Sequence, residues 1–189
     1  MLRRVATDLD TALVEFGDGH NTKSLTLTVS RTAGNNVLTF EVRNSGASRG
    51  AVTTGSAMPL RLWAHLAVVH DSSAGTTAIF IDGLQRAASE KVPTPVSAQR
   101  LIHRVGAPLA SWARNQMDGL VDDVRIWGSA RSAAELAAAA FTPPPSGSSR
   151  PASLLLSFDF EELWAPASRR SGPQTSELSG LESRRAEIV

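Results

Sequence analysis

Several residue types and segments are missing from this 189-residue sequence, and each absence excludes a class of protein. There is no cysteine, so disulfide scaffolds, thiolate metal sites and cysteine nucleophiles are excluded. No apolar run approaches the length that spans a membrane. The opening MLRRVATDLD has no hydrophobic stretch after its arginines, so it does not read as a secretory signal. Asn-X-Ser/Thr sequons are also missing.

The charges are nearly balanced. Nineteen basic residues stand against 18 acidic ones, for a formal net charge of +1. This balance gives no general attraction to nucleic acids or membrane surfaces, so the sequence predicts neither as a partner. With 42% hydrophobic residues, the chain is rich enough in apolar side chains to bury the core of one domain.

Two neighbouring segments carry the clearest strand pattern. In residues 24–30, SLTLTVS, apolar residues alternate with Ser and Thr, and residues 37–43, VLTFEVR, repeat the alternation after the turn AGNN. Such alternation is typical of antiparallel strands with one buried face and one face in water. The sequence therefore predicts a β-hairpin whose outer face is polar and rich in threonine.

Further strands are predicted along the chain. Segments 11–16, 76–81, 100–105 and 120–127 have strand character, and segment 62–69 is apolar on both faces, which favours a central strand. A short helix is predicted after Ser132, with Glu135 as its capping-box partner. Many short strands with one late helix, and no alternation with long helices, indicate an all-β fold, an antiparallel β-sandwich.

Three segments carry a family pattern in a consistent order: LWAHLAVVHD, AIFIDG and MDGLVDDVRIWGSARSAAELAAA. The matching positions are Trp63, Asp82, Gly83, Gly119, Asp122, Asp123, Val124 and Arg125. Together they resemble the laminin-G-like, or concanavalin A-like, jelly-roll family that includes the pentraxins. The resemblance covers residues 11–141 and implies an antiparallel jelly-roll β-sandwich with one short C-terminal helix.

The family's usual opening strand is not found before residue 11, whereas LLLSFDFEE, from residue 154, resembles it. We therefore expect a laminin-G-like domain at 1–141 that lacks its first strand, a Pro/Ser/Gly linker at 142–153 and a further segment at 154–189. Strand 154–160 either folds back beside 120–127 and completes the sandwich, or begins a second repeat of a tandem array. We favour the fold-back, because a bare strand edge would promote aggregation.

Patterns for catalysis are weak. The segment GASRG places Ser48 in a Gly-x-Ser-x-Gly pattern, but no helix is predicted directly after it, as a nucleophile elbow requires. The four histidines lack metal-ligand spacing. Asp159 and Glu161 share one face of a predicted strand, and the resemblance implies a structural role for that strand. The sequence thus predicts a protein that is not an enzyme.

Strand direction groups the loops at the two ends of the sandwich. If directions alternate, loops 17–23, 44–61 and 82–99 share one end, and loops 31–36, 70–75 and 106–117 share the other. At the first end Asp18 and Asn21 are weak candidates for a calcium site, with plain turn residues as the alternative. At the second end Asp71 joins Trp112, Arg114 and Asn115, which could stack on and hydrogen-bond a sugar. The alternative there is a Trp packed over the edge of the core.

The resemblance implies a non-catalytic module that recognises a carbohydrate or a protein surface within a larger modular protein. A structural spacer repeat and a hydrolase of the concanavalin A-like superfamily are the alternatives. Calcium is the one cofactor that the sequence leaves open. The expected partners are a glycan or protein ligand and the other domains of a longer chain. The resemblance also makes an extracellular or cell-surface location plausible.

Overall fold

The computed structural model describes residues 2–4, 11–18, 23–32, 35–45, 48–59, 62–107, 117, 119–142 and 151–158. The described residues form short strands and one helix, α1 (Ala133–Ala139). The strands are β1 (Leu2–Arg4), β2 (Thr11–Gly17), β3 (Ser24–Thr32), β4 (Asn35–Arg43), β5 (Arg49–Thr53), β6 (Leu66–Asp71), β7 (Thr76–Ile81), β8 (Leu84–Ser89), β9 (Ile102–Val105), β10 (Gly119–Val121), β11 (Val124–Trp127) and β12 (Leu154–Phe158).

A five-stranded antiparallel sheet forms one layer, in the order β5-β4-β3-β2-β9. The predicted hairpin is its centre, since β3 and β4 pair along their whole length, with Leu25 opposite Val42 and Leu27 opposite Phe40. A three-stranded antiparallel sheet, in the order β6-β7-β8, forms a second layer. Side chains from both sheets share one buried cluster: Leu13, Val29, Leu38, Val42, Val52, Met58, Ala64, Ile79, Ile81 and Val92. The predicted antiparallel β-sandwich is confirmed.

The middle strand of the smaller sheet differs from the prediction. Strand β7 lies between β6 and β8, so the apolar segment 62–69 does not supply the central strand. Regular pairing starts only at Leu66, and Leu62 is 63% exposed. The sequence pattern missed β8, because LQRAAS does not alternate between apolar and polar residues and most of its side chains are exposed. Its pairing with β7 supplies the second neighbour that makes β7 central.

The polar outer face of the five-stranded sheet is present but largely buried. Thr26 on β3 lies opposite Glu15 of β2 and Glu41 of β4, and all three residues are less than a tenth exposed. Glu41 forms ion pairs with Arg43 and Arg49. The prediction that this face is exposed to water is therefore wrong at its centre. There the short side chain of Thr26 lies between the longer side chains of the two glutamates on the neighbouring strands.

The predicted strand 120–127 is two strands in the structure. Asp123 has a φ of 57°, in the left-handed region, so it interrupts the extended chain between β10 and β11. Strand β1 pairs with β10, and β12 pairs with β11, both antiparallel. The segment that resembles the family's opening strand thus lies beside 124–127 in the same chain, and the expected neighbour is confirmed.

The helix begins as its sequence predicts. The Ser132 side chain accepts a hydrogen bond from the Glu135 backbone amide, and the Glu135 carboxylate accepts one from the Ser132 amide. Helix α1 packs on the turn between β7 and β8, where the backbone of Gly83 approaches Ala137. This contact brings the segment before α1 over the outer face of the smaller sheet.

Candidate functional site

A cavity of about 330 Å³ lies on the outer face of the β6-β7-β8 sheet. Its apolar floor is made by Val69, Ala78 and Phe80. Side chains alternate across a strand, so these residues lie on the face opposite Ile79 and Ile81, which belong to the core. The sheet therefore buries one apolar face and keeps a second apolar patch beneath the cavity.

Polar groups surround this floor. They come from the end of β6, the start of β7, the start of β8 and the segment before α1: Asp71, Thr76, Gln85, Arg131 and Ser132, with Ala130 beside them. A small concave site with an apolar floor and a few convergent hydrogen-bonding groups is typical of small-ligand binding.

Asp71 has its carboxylate fixed by the β6–β7 turn. Its Oδ1 accepts from the Ser73 amide at 2.9 Å, the Ser73 hydroxyl at 2.6 Å and the Ala74 amide at 3.1 Å. The hydroxyl of Ser73, followed by the amide of Ala74, lowers the pKa of Asp71 below its ordinary value. Within the described residues Oδ2 makes no hydrogen bond, so it is available as an acceptor.

Arg131 is held by two neighbours on the other wall. Its guanidinium carbon lies 4.5 Å from the ring centroid of Trp127, a cation–π contact. Its Nη2 lies 2.9 Å from Oε1 of Glu135, one helical turn further along the chain. The backbone amide and then the hydroxyl of Ser132 donate to Glu135 and lower its pKa. Arg131 and Glu135 therefore form an ion pair at this wall, and their two charges offset each other.

The predicted grouping of loops is wrong for the Asp71 turn. His70 Nε2 lies 3.3 Å from Thr94 Oγ1, and the Thr94 carbonyl accepts from the Asn44 side chain at 2.9 Å, so this turn lies at the end of loop 44–48. Loop 106–117 begins and ends at the other end of the sandwich, where the Gly106 amide donates to Leu13 O at 2.8 Å and the Met117 amide to Gly106 O at 2.7 Å.

The missed strand β5 explains the error. It adds one reversal of the chain between β4 and β6, so β6 and β7 run opposite to the direction that was assumed. The missed β8 adds another reversal and restores the direction of β9. The predicted sugar-contacting residues Trp112, Arg114 and Asn115 lie outside the described residues, and their role stays a prediction.

The weak calcium candidates are only partly described. Asn21 lies outside the described residues. Burial lowers the pKa of Arg100, and the negative charge of Asp18 opposes that shift. The Asp18 carboxylate therefore interacts with the Arg100 guanidinium. Across the ranges described above, no three His, Asp or Glu side chains form a cluster that could hold a metal ion.

Ser48 lies between two strands. Its carbonyl accepts from the Asn44 amide at 2.9 Å, and β5 follows directly, so the strand-to-helix turn of a nucleophile elbow is not formed. Asp159 and Glu161 lie outside the described residues. Asp122 has a partner of its own and lies at the break between β10 and β11.

The family assignment follows from a sequence model as well as from the fold. Residues 3–137 match Laminin_G_3, described as the concanavalin A-like lectin/glucanases superfamily. The chain belongs to this superfamily. The match begins at β1 and ends within α1, so it contains every wall of the cavity and stops before β12.

Two solved structures are similar to this superfamily member. A "putative carbohydrate binding protein" from Bacteroides ovatus has a TM-score of 0.55 and 16% identity, over 84% of this chain and 48% of that chain. An S-layer domain-containing protein from Clostridium thermocellum has a TM-score of 0.35 and 24% identity, over 72% of this chain and 65% of that one. The chain thus spans about half the length of the Bacteroides protein, and that likeness shows the fold alone. No curated protein matches the chain.

Four of the five polar residues that line the cavity were not predicted as site residues: Thr76, Gln85, Arg131 and Ser132. Gln85 follows a predicted turn and belongs to the missed strand β8, so no pattern marked it. Arg131 had a signal in the sequence, because it stands four residues before Glu135, a spacing that brings side chains together on a helix. None of the helices in the described parts is long and apolar enough to cross a membrane.

Proposed function

We propose that the chain is a non-catalytic carbohydrate-binding module and that a glycan binds in the cavity on the β6-β7-β8 sheet. The observation that carries this proposal is the combination of an apolar floor with hydrogen-bonding groups from β6, β7, β8 and the segment before α1. One face of a sugar ring presents C–H groups, which pack on apolar side chains, while its hydroxyls need donors and acceptors at the rim. The volume of about 330 Å³ lies at the small end of the ligand-pocket range, which suits a short saccharide segment.

Each wall offers a different partner to a sugar hydroxyl. Asp71 Oδ2 accepts hydrogen bonds, and the Gln85 amide both donates and accepts. The Asp71 carboxylate is held in place by three local hydrogen bonds, so little conformational entropy is lost when a ligand binds. The superfamily description and the Bacteroides protein's name are consistent with this function.

The surrounding organisation is proposed from the family resemblance. The module at 1–141 is one part of a longer modular protein, 142–153 is a linker, and the strand from residue 154 completes the sandwich. The same resemblance implies an extracellular or cell-surface location, and a protein surface as the alternative ligand. Binding assays with and without calcium test whether calcium is a cofactor.

A glycan array, run once with calcium and once with a chelator, tests the proposal. Glycans that bind should then be titrated by calorimetry against the wild type, Gln85→Ala and Gln99→Ala. Gln85 lines the cavity, whereas Gln99 is an exposed glutamine elsewhere, so only Gln85→Ala should weaken binding, by about tenfold for one lost hydrogen-bonding group.

The absence of signal in both array conditions would refute glycan binding and favour the structural spacer. Equal losses in the two glutamine variants would place the site elsewhere on the protein. Turnover of ester or glycoside reporters that disappears in Ser48→Ala or Glu161→Gln would contradict the non-catalytic assignment.

A further inference from the structure

The charged groups at the cavity bear on which glycans it accepts. Asp71 and Arg131 line the cavity, and Glu135 forms an ion pair with Arg131. The two charges of that pair offset each other, so the carboxylate of Asp71 is the uncompensated charge among these three. The inference below rests on the proposed glycan-binding function and specifies its ligand class.

Arg131 is poorly placed to attract an anionic ligand. One face of its guanidinium lies over the Trp127 ring, and Nη2 is bonded to the Glu135 carboxylate at 2.9 Å. Glu135 in turn accepts two hydrogen bonds from Ser132, from its amide at 2.8 Å and its hydroxyl at 3.0 Å. An anionic group that approaches Arg131 would therefore also meet the negative charge of Glu135, which offsets the attraction of the guanidinium.

Asp71, in contrast, favours a ligand group that donates a hydrogen bond. Its Oδ1 accepts three hydrogen bonds from the turn, and Oδ2 has no donor among the described residues. A sugar hydroxyl can donate to this oxygen, whereas a carboxylate or sulfate can offer no proton at neutral pH and is repelled by its charge.

We infer that the cavity selects neutral glycans and discriminates against glycans that carry carboxylate or sulfate groups. In this arrangement a neutral sugar ring lies on Val69 and Ala78, donates a hydroxyl to Asp71 and exchanges hydrogen bonds with Gln85. The selectivity is set jointly by the free Asp71 oxygen and by the Glu135 carboxylate that neutralises Arg131.

Three variants separate the two charge effects. Asp71→Asn removes the free charge and keeps an acceptor oxygen for the turn. Glu135→Gln releases Arg131 and still permits the capping box, since glutamine also serves at that position. Glu90→Gln removes one negative charge from an exposed position outside the cavity and is the matched control.

The assay is calorimetry at low salt with pairs of neutral and uronate-containing oligosaccharides of equal length. We expect the wild type and Glu90→Gln to bind the neutral member about tenfold more tightly, the effect of one like charge near the ligand. Asp71→Asn and Glu135→Gln should each reduce that ratio by about threefold or more, because the first removes the repulsive charge and the second leaves the positive charge of Arg131 uncompensated.

Equal affinity of the wild type for both members would overturn the inference while leaving glycan binding intact. An unchanged ratio in both cavity variants would overturn it too, because the selectivity would then come from other groups. If the wild type binds no glycan, the proposed function itself fails. Should Asp71→Asn lose its fold, as circular dichroism would show, the Glu135→Gln ratio decides.

Discussion

The contact between Gly83 and α1 gives the sharpest test of how the cavity wall is held. Gly83 lies in the turn between β7 and β8 with a φ of +75°, in the left-handed region that favours glycine. A Cβ built on it would lie 2.6 Å from Ala137 Cα and 2.7 Å from Ala137 Cβ. Both neighbours belong to the helix backbone or its first side-chain atom, so the clash cannot be relieved by rotating a side chain. Gly83→Ala must therefore push α1 away from the sheet.

The expected cost has two parts. The left-handed conformation costs an alanine about 1–2 kcal/mol. Overpacking against a rigid neighbour costs about 1–3 kcal/mol more, which gives a total of about 2–5 kcal/mol in the free energy of unfolding. Gly75→Ala is the matched control, because Gly75 has a φ of +67° and no atom within 4 Å of its built Cβ. It should show only the conformational part, about 1–2 kcal/mol.

Urea unfolding followed by tryptophan fluorescence measures both variants. The difference between them isolates the contact with α1. Because Arg131 lies directly before α1 and pairs with Glu135 of the helix, Gly83→Ala should also weaken glycan binding more than Gly75→Ala does. If Gly83→Ala is no less stable than Gly75→Ala, the helix does not pack on this turn and the description of the cavity wall is wrong.

Three further predictions concern the rest of the fold. Burial, with Arg125 acting in the same direction, lowers the pKa of His65 below 6.5, so the unfolded chain takes up a proton that the folded chain resists. The free energy of unfolding should thus keep its full value above about pH 6.5 and decrease as the pH falls below it, less steeply in His65→Gln; identical urea titrations of the two proteins would contradict this. Thr54→Val leaves the buried Leu38 amide, now bonded to Thr54 Oγ1 at 3.1 Å, without an acceptor and should cost about 1–3 kcal/mol, whereas Thr54→Ser should cost less. Truncation before residue 151 removes β12 and exposes the edge of β11, so light scattering should show aggregation and the Tm should fall; an unchanged monomer would mean that β12 does not complete the sandwich.

Local patterns in the sequence were enough to establish the fold class. The alternation in 24–30 and 37–43 predicted the central hairpin, and the Ser132–Glu135 spacing predicted the capped helix, because a period of two and a capping box each depend on residues close in the chain. The likeness of residues 154–160 to a family strand also predicted the neighbour of β12. The hairpin and the helix start depend on backbone geometry and side-chain type close in the chain, whereas the neighbour of β12 was expected only from the family resemblance.

The site depended on contacts that no local pattern records. Asp71 was predicted to bind a sugar beside loop 106–117, but the loops around it were misassigned, because the sequences of β5 and β8 lack a clear strand pattern and yet each strand reverses the chain. Only the folded chain brings Arg131 to the same cavity as Asp71, through the packing of α1 on Gly83. Strand count and direction decide which loops meet, and they are settled by pairing energies summed over the whole sheet. The sequence by itself therefore determined the layers of this protein, and the tertiary structure decided where a ligand could bind between its elements.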